Sequence, residues 1–314
     1  MKMNIYDLII LGAGPAGMSA SIYASRYKIN HIIIGNIFDG SVAKAHLIEN
    51  WLGEKSIKGT DLMMKFNDHI KDFGTNLIVE DIVEIKEEEN VEFGRNVFNI
   101  KTNNNKTYRS KSILIALGTK HRKLNIFGEE ELLGKGVSYC AVCDGAFFKN
   151  KIVAVVGGSN SAAMASIMLS EHADKVYLIY RKKPLRCEPI MTDRIKENKK
   201  ITILYNTNVT KVLGENRVKS IELDNEYDSS KEIKLDGLFI EAGSVPSASL
   251  VKELNVNVND SGYIIINSNG ATNIEGVYAA GDITNGSNGL RQIVTAVSEG
   301  AISATSIYKY LKEK

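Results

Sequence analysis

The sequence lacks the features that would assign it to a membrane or to nucleic acid. No apolar run reaches the roughly 18 residues that a membrane-spanning helix needs. Asp7 interrupts the first apolar stretch, which then leads directly into Gly12, so we expect no secretory signal. Charge of one sign is not in excess either, because 39 basic residues nearly cancel 37 acidic ones and leave a formal net charge of +2. We therefore predict a cytoplasmic protein with no nucleic-acid or membrane partner.

Cysteine is scarce as well, with three residues among 314. A reducing cytosol disfavours structural disulfides, so a close cysteine pair there indicates catalysis or metal binding. Hydrophobic residues make up 44% and charged residues 24%, which is typical of a folded globular chain. The length suits two domains of ordinary size.

The first forty residues have the pattern of a nucleotide-binding unit. Residues 5–11 predict a buried parallel strand, residues 14–27 a helix with small and apolar side chains, and residues 31–34 a second strand. The first turn, residues 12–17, reads Gly-Ala-Gly-Pro-Ala-Gly and joins strand to helix. Its glycines allow a tight bend, close approach of a pyrophosphate and close packing of helix on strand. The helix N-terminus then offers N–H groups to the phosphates.

One expected residue is missing from this unit. A dinucleotide site usually has Asp or Glu at the end of the second strand, where it binds the ribose hydroxyls. Here the strand ends in Ile34-Gly35-Asn36. Asn36 or Asp39 is then the substitute, or backbone groups alone hold the ribose.

The same pattern recurs in the middle of the chain. Residues 152–156 predict a buried strand, Gly157 and Gly158 follow it, residues 160–170 are small and apolar, and residues 176–180 predict the next strand. The alternative is two unrelated turns between a buried strand and a helix. We predict an α/β fold with two Rossmann-like nucleotide-binding domains of three ββα layers.

Two polar stretches predict a small antiparallel β-meander in each unit, at residues 86–106 and 201–240. The tail predicts strands at 263–266 and 276–280 and a long helix from about residue 290. The boundaries between the two units are predicted near residues 115 and 246.

A second nucleotide signal lies near the end of the chain. Residues 276–282 read Gly-Val-Tyr-Ala-Ala-Gly-Asp, a buried strand that ends in Gly281 and Asp282. An Asp in this position can bind the ribityl chain of FAD or a water beside a phosphate. The alternative is an ordinary turn at a strand end, but the first turn in the same chain favours FAD.

The chemical centre of the sequence is the segment Cys140-Ala-Val-Cys143-Asp144-Gly. Zinc needs about four ligands. The chain offers only Cys187 besides this pair and has no second C-x-x-C or H-x-x-H, so we predict no metal. Two buried structural thiols are the other alternative to a redox role.

Redox chemistry explains more of this segment. A C-x-x-C at a helix start has a lowered thiol pKa, because the helix dipole favours the thiolate. Attack of the thiolate on a partner disulfide gives a mixed disulfide, which the second cysteine resolves. Asp144 is the candidate acid–base for the leaving thiolate, and helix capping is its alternative role. Cys187 has no partner in the sequence and is treated as incidental.

These motifs, in this order and over essentially the whole chain, resemble the low-molecular-weight thioredoxin reductases, which are FAD-dependent class II pyridine nucleotide-disulfide oxidoreductases. Residues 49–53 look like the early flavin-contacting segment of that family, and residues 291–293 look like its late one. The resemblance implies a homodimer, with thioredoxin or a similar protein as acceptor. It also implies a discontinuous FAD-binding domain, residues 1–115 and 246–314, in which the second domain is inserted: an NAD(P)H-like domain, residues 116–245, that carries the cysteine pair. It also implies that Cys143 faces the flavin and that Cys140 attacks the acceptor. The candidate FAD contacts are Gly12, Gly14, Pro15, Ala16, Gly17, Asn50, Val83, Gly118, Gly281, Asp282, Arg291, Gln292 and Ile293.

The second turn, residues 157–160, departs from the family pattern. Members that use NADPH have three successive glycines and then acidic residues, whereas here Ser159 takes the third position and Met164 and Ala165 replace the acids. Ser159 puts a Cβ where a pyrophosphate would approach the backbone. The candidate nicotinamide-nucleotide contacts are Gly157, Ser159, Asn160, Arg181 and Arg186, of which the two arginines are alternatively a solvated connection.

The electron donor is therefore NADPH or, as we favour, a different reduced donor. Related reductases take electrons from ferredoxin or a reduced deazaflavin. Three functions stay open: a thioredoxin-disulfide reductase, a flavoprotein reductase of the ferredoxin–NADP type, and a non-enzymatic redox sensor. The C-x-x-C motif favours the first.

Overall fold

The structure, a computed structural model, describes residues 5–88, 96–247, 250 and 253–313. Its strands are β1 (Ile5–Tyr6), β2 (Leu8–Leu11), β3 (His31–Ile34), β4 (Asn76–Ile78), β5 (Ile82–Glu88), β6 (Val97–Thr102), β7 (Thr107–Ser110), β8 (Ile113–Ile115), β9 (Thr119–His121), β10 (Val137–Ser138), β11 (Ile152–Val156), β12 (Lys175–Tyr180), β13 (Ile201–Tyr205), β14 (Val209–Gly214), β15 (Val218–Tyr227), β16 (Ser230–Lys234), β17 (Gly237–Ile240), β18 (Ser244–Pro246) and β19 (Val277–Ala279). Its α-helices are α1 (Pro15–Arg26), α2 (Gly59–Asp72), α3 (Ala141–Asp144), α4 (Asn160–His172), α5 (Pro189–Glu197) and α6 (Ile293–Lys312).

The chain folds into two compact units. The first combines Met1–Lys120 with Val245–Lys314, and the second is His121–Ser244. In the part of the chain that the structure describes, no helix has the length and apolar character to cross a membrane.

The first unit is built on a five-stranded parallel sheet in the order β19-β8-β2-β3-β4. Its central strand, β2, is buried on both faces because its side chains alternate between two hydrophobic clusters. Leu8 and Ile10 pack with residues of α1, α2 and α6, while Ile9 and Leu11 pack with residues of the second sheet, β1-β7-β6-β5. The unit therefore has three layers.

The second unit repeats this architecture. Its parallel sheet has the order β10-β17-β11-β12-β13. Val153 and Val155 of β11 pack on the side of α4 and α5, and Ala154 packs on the side of the antiparallel sheet β14-β15-β16. The predicted fold of two three-layer Rossmann-like domains is confirmed.

Two predicted elements were wrong in detail. Residues 201–240 are not one meander, because their first and last strands, β13 and β17, belong to the parallel sheet and only Val209–Lys234 is antiparallel. Residues 263–266 are not a strand. Ile264 makes only isolated bridges, and the Ile266 N–H donates to the side chain of Asn285 instead of to a neighbouring strand.

Other boundaries shifted without changing the architecture. The antiparallel strands of the first unit span more than residues 86–106, from β5 to β7, and residues 89–95 lie outside the described residues. The last helix begins at Ile293, because the side chains of Gln292 and Thr295 form a capping box with each other's backbone N–H groups.

Candidate active site

Two glycines of the first turn, Gly12 and Gly17, are packed against backbone, whereas the third, Gly14, faces open space. Gly12 has φ +111°, and a Cβ there would lie 2.3 Å from the carbonyl oxygen of Ala116. A Cβ on Gly17 would lie 2.0 Å from the carbonyl oxygen of Gly12. At Gly14, by contrast, no atom lies within 4 Å of the Cβ position. The open side is where a pyrophosphate must approach the backbone.

The start of α1 suits an anion. Gly14 is its N-cap with extended backbone, Pro15 occupies the first turn, and no acidic residue or side-chain cap is present there. The first N–H groups of a helix have no intrahelical partner, and the helix dipole is positive at this end. The residues of the first turn therefore fit the diphosphate of a dinucleotide such as FAD.

The strand end that usually carries the ribose acid is packed against this turn. Gly35 has φ +155°, and a Cβ there would lie 2.8 Å from the Ala13 nitrogen. The side chain of Asn36 accepts a hydrogen bond from the Phe38 N–H at 3.0 Å. Its amide N–H groups are donors that a ribose hydroxyl could accept from.

The fold brings the Gly281-Asp282 turn to the first turn. Gly281 has φ +81°, and a Cβ there would lie 3.1 Å from the Cβ of Ala16. Burial raises the pKa of the Asp282 carboxyl, Arg291 lowers it, and Glu299 raises it further. Residues from the two ends of the chain thus line one place.

Glu299 is a residue that the sequence reasoning missed. Its buried carboxylate accepts hydrogen bonds from the Gly281 N–H at 2.8 Å, the Thr284 hydroxyl at 3.1 Å and the Ser287 hydroxyl at 2.6 Å. It therefore holds the loop that carries Asp282. The signal was present in the sequence, because Glu299 is an acid on the apolar face of α6, between Ala296 and Ser303.

The two predicted flavin-contacting segments meet. The Asn50 amide donates to the Gln292 side-chain oxygen at 3.0 Å. Gln292 is also the N-cap of α6, directly before Ile293. The Arg291 guanidinium lies 3.8 Å from the centre of the Tyr263 ring.

Two more candidate flavin residues are in the same unit. Val83 is exposed on β5 of the antiparallel sheet. Gly118 follows β8, has φ +61°, and accepts a hydrogen bond from the Ser247 N–H. Their contact with a flavin stays a prediction.

The cysteine pair of the second unit forms a disulfide, Cys140–Cys143, with 5.3 Å between the Cα atoms. Cys140 is the N-cap of the one-turn helix α3, and its sulfur accepts a hydrogen bond from the Cys143 N–H at 3.2 Å. Ser138 holds the backbone that leads into this helix, because its hydroxyl oxygen accepts a hydrogen bond from the Cys140 N–H at 2.9 Å. Cys143 is exposed, and Asp144 follows it half-buried. The exposed member of the pair is therefore Cys143, whereas Cys140 is half-buried.

The remaining cysteine is separate from this pair. Cys187 is a half-buried free thiol whose sulfur lies 3.2 Å from the Thr192 hydroxyl.

The second turn has the backbone of the first with different side chains. Ser159 is the N-cap of α4 with φ −99° and ψ −177°, close to the φ −83° and ψ −177° of Gly14. A Cβ on Gly157 would lie 2.3 Å from the Glu241 carbonyl oxygen, and one on Gly158 would lie 2.4 Å from the Tyr180 ring. Space that is open at Gly14 is taken by a side chain at Ser159.

The other predicted nicotinamide-nucleotide contacts lie around this turn. The Asn160 amide donates to the Glu188 carboxylate at 2.9 Å, and its oxygen accepts the Glu188 N–H at 2.8 Å. The Arg186 N–H donates to the Gly158 carbonyl at 2.6 Å, while the side chains of Arg181 and Arg186 are exposed.

Two dinucleotide folds in one chain, with a disulfide at a helix N-terminus in one of them, define a flavin-type disulfide oxidoreductase. Residues 6–300 match the family model described as pyridine nucleotide-disulphide oxidoreductase. The chain belongs to this family of enzymes, which implies a flavin and a nucleotide cofactor.

Relatives match over the whole chain. A thioredoxin reductase of Listeria innocua is 40% identical and covers 99% of this chain and 95% of its own length. The crystal structure of Lactococcus lactis thioredoxin reductase has a TM-score of 0.91 at 33% identity, covering 98% of this chain and 100% of that one. A ferredoxin-flavin thioredoxin reductase of Clostridium acetobutylicum has a TM-score of 0.53 at 30% identity, covering 99% and 100%.

Proposed function

We propose that this chain is a thioredoxin-disulfide reductase that passes electrons through FAD and the Cys140–Cys143 disulfide to thioredoxin or a similar small disulfide protein. The observation that carries the proposal is the disulfide at the start of α3, with Cys143 exposed and Asp144 next to it. The full-length similarity to thioredoxin reductases supports the choice of acceptor.

FAD is the flavin that the first unit fits. The first turn would hold its diphosphate, and Asp282, kept in place by Glu299, would bind the ribityl or phosphate side. Asn50 and Gln292, already hydrogen-bonded to each other, would orient the ring end. When bound, a reduced flavin supplies the two electrons that open the disulfide.

Once the pair is a dithiol, exchange moves two electrons and two protons. As the family resemblance implies, the thiolate of the half-buried Cys140 would attack the acceptor disulfide, so that a mixed disulfide forms and one acceptor sulfur leaves as a thiolate. Asp144, which directly follows Cys143 in α3, would give that sulfur a proton taken from the pair. Cys143 then attacks Cys140, which re-forms the Cys140–Cys143 bond and releases the second acceptor thiol.

The electron donor and the assembly also belong to the proposal. A relative named as ferredoxin-flavin dependent shows that this fold occurs with a protein donor, which supports ferredoxin as an alternative to NADPH. We further propose a homodimer, from the family resemblance, and a cytoplasmic location, from the composition.

The test replaces one cysteine at a time. Cys143→Ser should keep its bound flavin but lose thioredoxin turnover when the flavin is reduced by light and a deazaflavin. The reason is that no second thiol is left to resolve the mixed disulfide between Cys140 and the acceptor. Cys187→Ser is the matched control and should turn over like the wild type. Full turnover by Cys143→Ser would contradict the proposal.

A further inference from the structure

The second unit has the backbone of a dinucleotide site, but the side chains around its glycine turn differ from those of the first unit. In folds of this kind the ligand lies outside the carboxyl ends of the parallel strands, with its pyrophosphate at the glycine turn. In the second unit that place is bordered by the ends of β11 and β17 and by the start of α4.

A half-buried acid, Glu241, lies at this place. Glu241 directly follows β17, and its N–H donates to the Val156 carbonyl, so the parallel pairing continues one residue beyond the strand. Its carbonyl oxygen lies against Gly157, the first glycine of the second turn. Phe239 packs with the residues of α4, whereas Leu238 and Ile240 pack on the opposite face. Continued alternation puts the Glu241 side chain on the α4 face.

In the part of the chain that the structure describes, the Glu241 carboxylate has no compensating partner. Among the described residues, none donates a hydrogen bond to its carboxylate, and no ion pair includes it. Burial raises the pKa of this carboxyl to about 7, so part of the population is charged at neutral pH. A diphosphate brought beside it would meet like charge in a poorly hydrated place.

A second acid is tied to the same helix start. Glu188, the N-cap of α5, is hydrogen-bonded to Asn160 through both its carboxylate and its N–H. Asn160 is the first residue of α4, so a protein carboxylate already lies where the helix dipole would attract a phosphate. Ser159 adds a side chain at the position that is open in the first turn.

The exposed cations nearby do not compensate the charge of these two carboxylates. Arg181, Lys182 and Arg186 are solvent-exposed in the connection after β12. Exposed charges, these cations and Glu188 alike, are screened by water and salt, whereas the half-buried Glu241 beside Gly157 is screened less. A 2′-phosphate could be attracted to the arginines, but the pyrophosphate would still have to enter between the two acids.

We infer that Glu241 and Glu188 are specificity-determining residues that exclude NADPH and NADH from the second unit by occupying the surroundings of the pyrophosphate position with protein carboxylates. This inference deepens the proposed function, on which it rests, by removing the nicotinamide dinucleotides from the possible donors.

The test is a gain of binding. We would titrate the oxidised holoenzyme with NADP⁺ in a calorimeter and follow anaerobic flavin bleaching by NADPH and NADH. The wild type should show no saturable binding up to millimolar nucleotide. Glu241→Gln combined with Glu188→Gln should bind at least tenfold more tightly than the wild type. Glu232→Gln, on an exposed strand of the same unit, is the matched control and should behave like the wild type.

Two results would overturn the inference. One is micromolar binding with rapid bleaching in the wild type, and the other is a double variant that binds no better than the wild type although its melting temperature and flavin content are normal. Thioredoxin turnover driven by light-reduced deazaflavin is measured in parallel. If the wild type shows no thioredoxin turnover but still excludes NADP⁺ and the double variant still gains binding, the proposed function is contradicted and the inference about Glu241 and Glu188 is not.

Discussion

At the scale of single residues, a carboxylate orders the flavin side of the first unit. Glu299→Ala removes the acceptor of three hydrogen bonds, from Gly281, Thr284 and Ser287. Bonds to a charged group contribute about 1.5–3 kcal/mol each when intact. We expect the dissociation constant of FAD to rise at least tenfold, measured from flavin fluorescence after dilution. Glu299→Gln keeps an oxygen that can accept from the Gly281 N–H, so its FAD affinity should fall much less. Unchanged flavin affinity in the alanine variant would contradict a positioning role.

A second residue-scale prediction concerns pH and Glu241. Its folded pKa, about 7, lies above the ordinary value of 4.5, so burial favours the protonated form. The stability linked to that proton is fully present below pH 4.5 and is lost as the pH rises through 7. Compared with Glu241→Gln, the wild type should lose up to about 3 kcal/mol of unfolding free energy between pH 4.5 and 8. Urea titrations of both proteins at the two pH values test this, and parallel losses would show that Glu241 is not buried as described.

At the scale of elements, helix α1 depends on close contact at Gly17. Alanine is a better helix former than glycine by about 1 kcal/mol. The clash outweighs this gain, because the new Cβ would lie 2.0 Å from the backbone oxygen of Gly12, which cannot move without opening the turn. Gly17→Ala should therefore purify with less than half of the normal flavin. Gly40→Ala, where no atom lies within 4 Å, is the control. Equal flavin content in both variants would show that the turn tolerates displacement.

At the scale of the whole molecule, the sequence predicted what local patterns encode. Strands such as β2 and β11 are buried on both faces and therefore read as unbroken apolar runs between glycine turns. The limits of the second meander were predicted less well. β13 and β17 are short apolar strands next to the antiparallel ones, and their parallel pairing with β12 and β11 depends on residues far away in the chain. Contacts between distant residues were not visible. The Asn50–Gln292 bond depends on how the two ends of the chain pack together. The role of Glu299 depends on how the loop with Gly281, Thr284 and Ser287 folds back onto α6.

The central claim is that electrons pass from the flavin through the Cys140–Cys143 disulfide to the disulfide of another protein. The most direct measurement mixes fully reduced enzyme, without oxygen, with oxidised thioredoxin and follows flavin absorbance. We predict that thioredoxin reoxidises the flavin of the wild type and of Cys187→Ser, but not that of Cys143→Ser, which lacks the redox-active disulfide. Reoxidation of the Cys143→Ser flavin by thioredoxin at the wild-type rate would contradict the account.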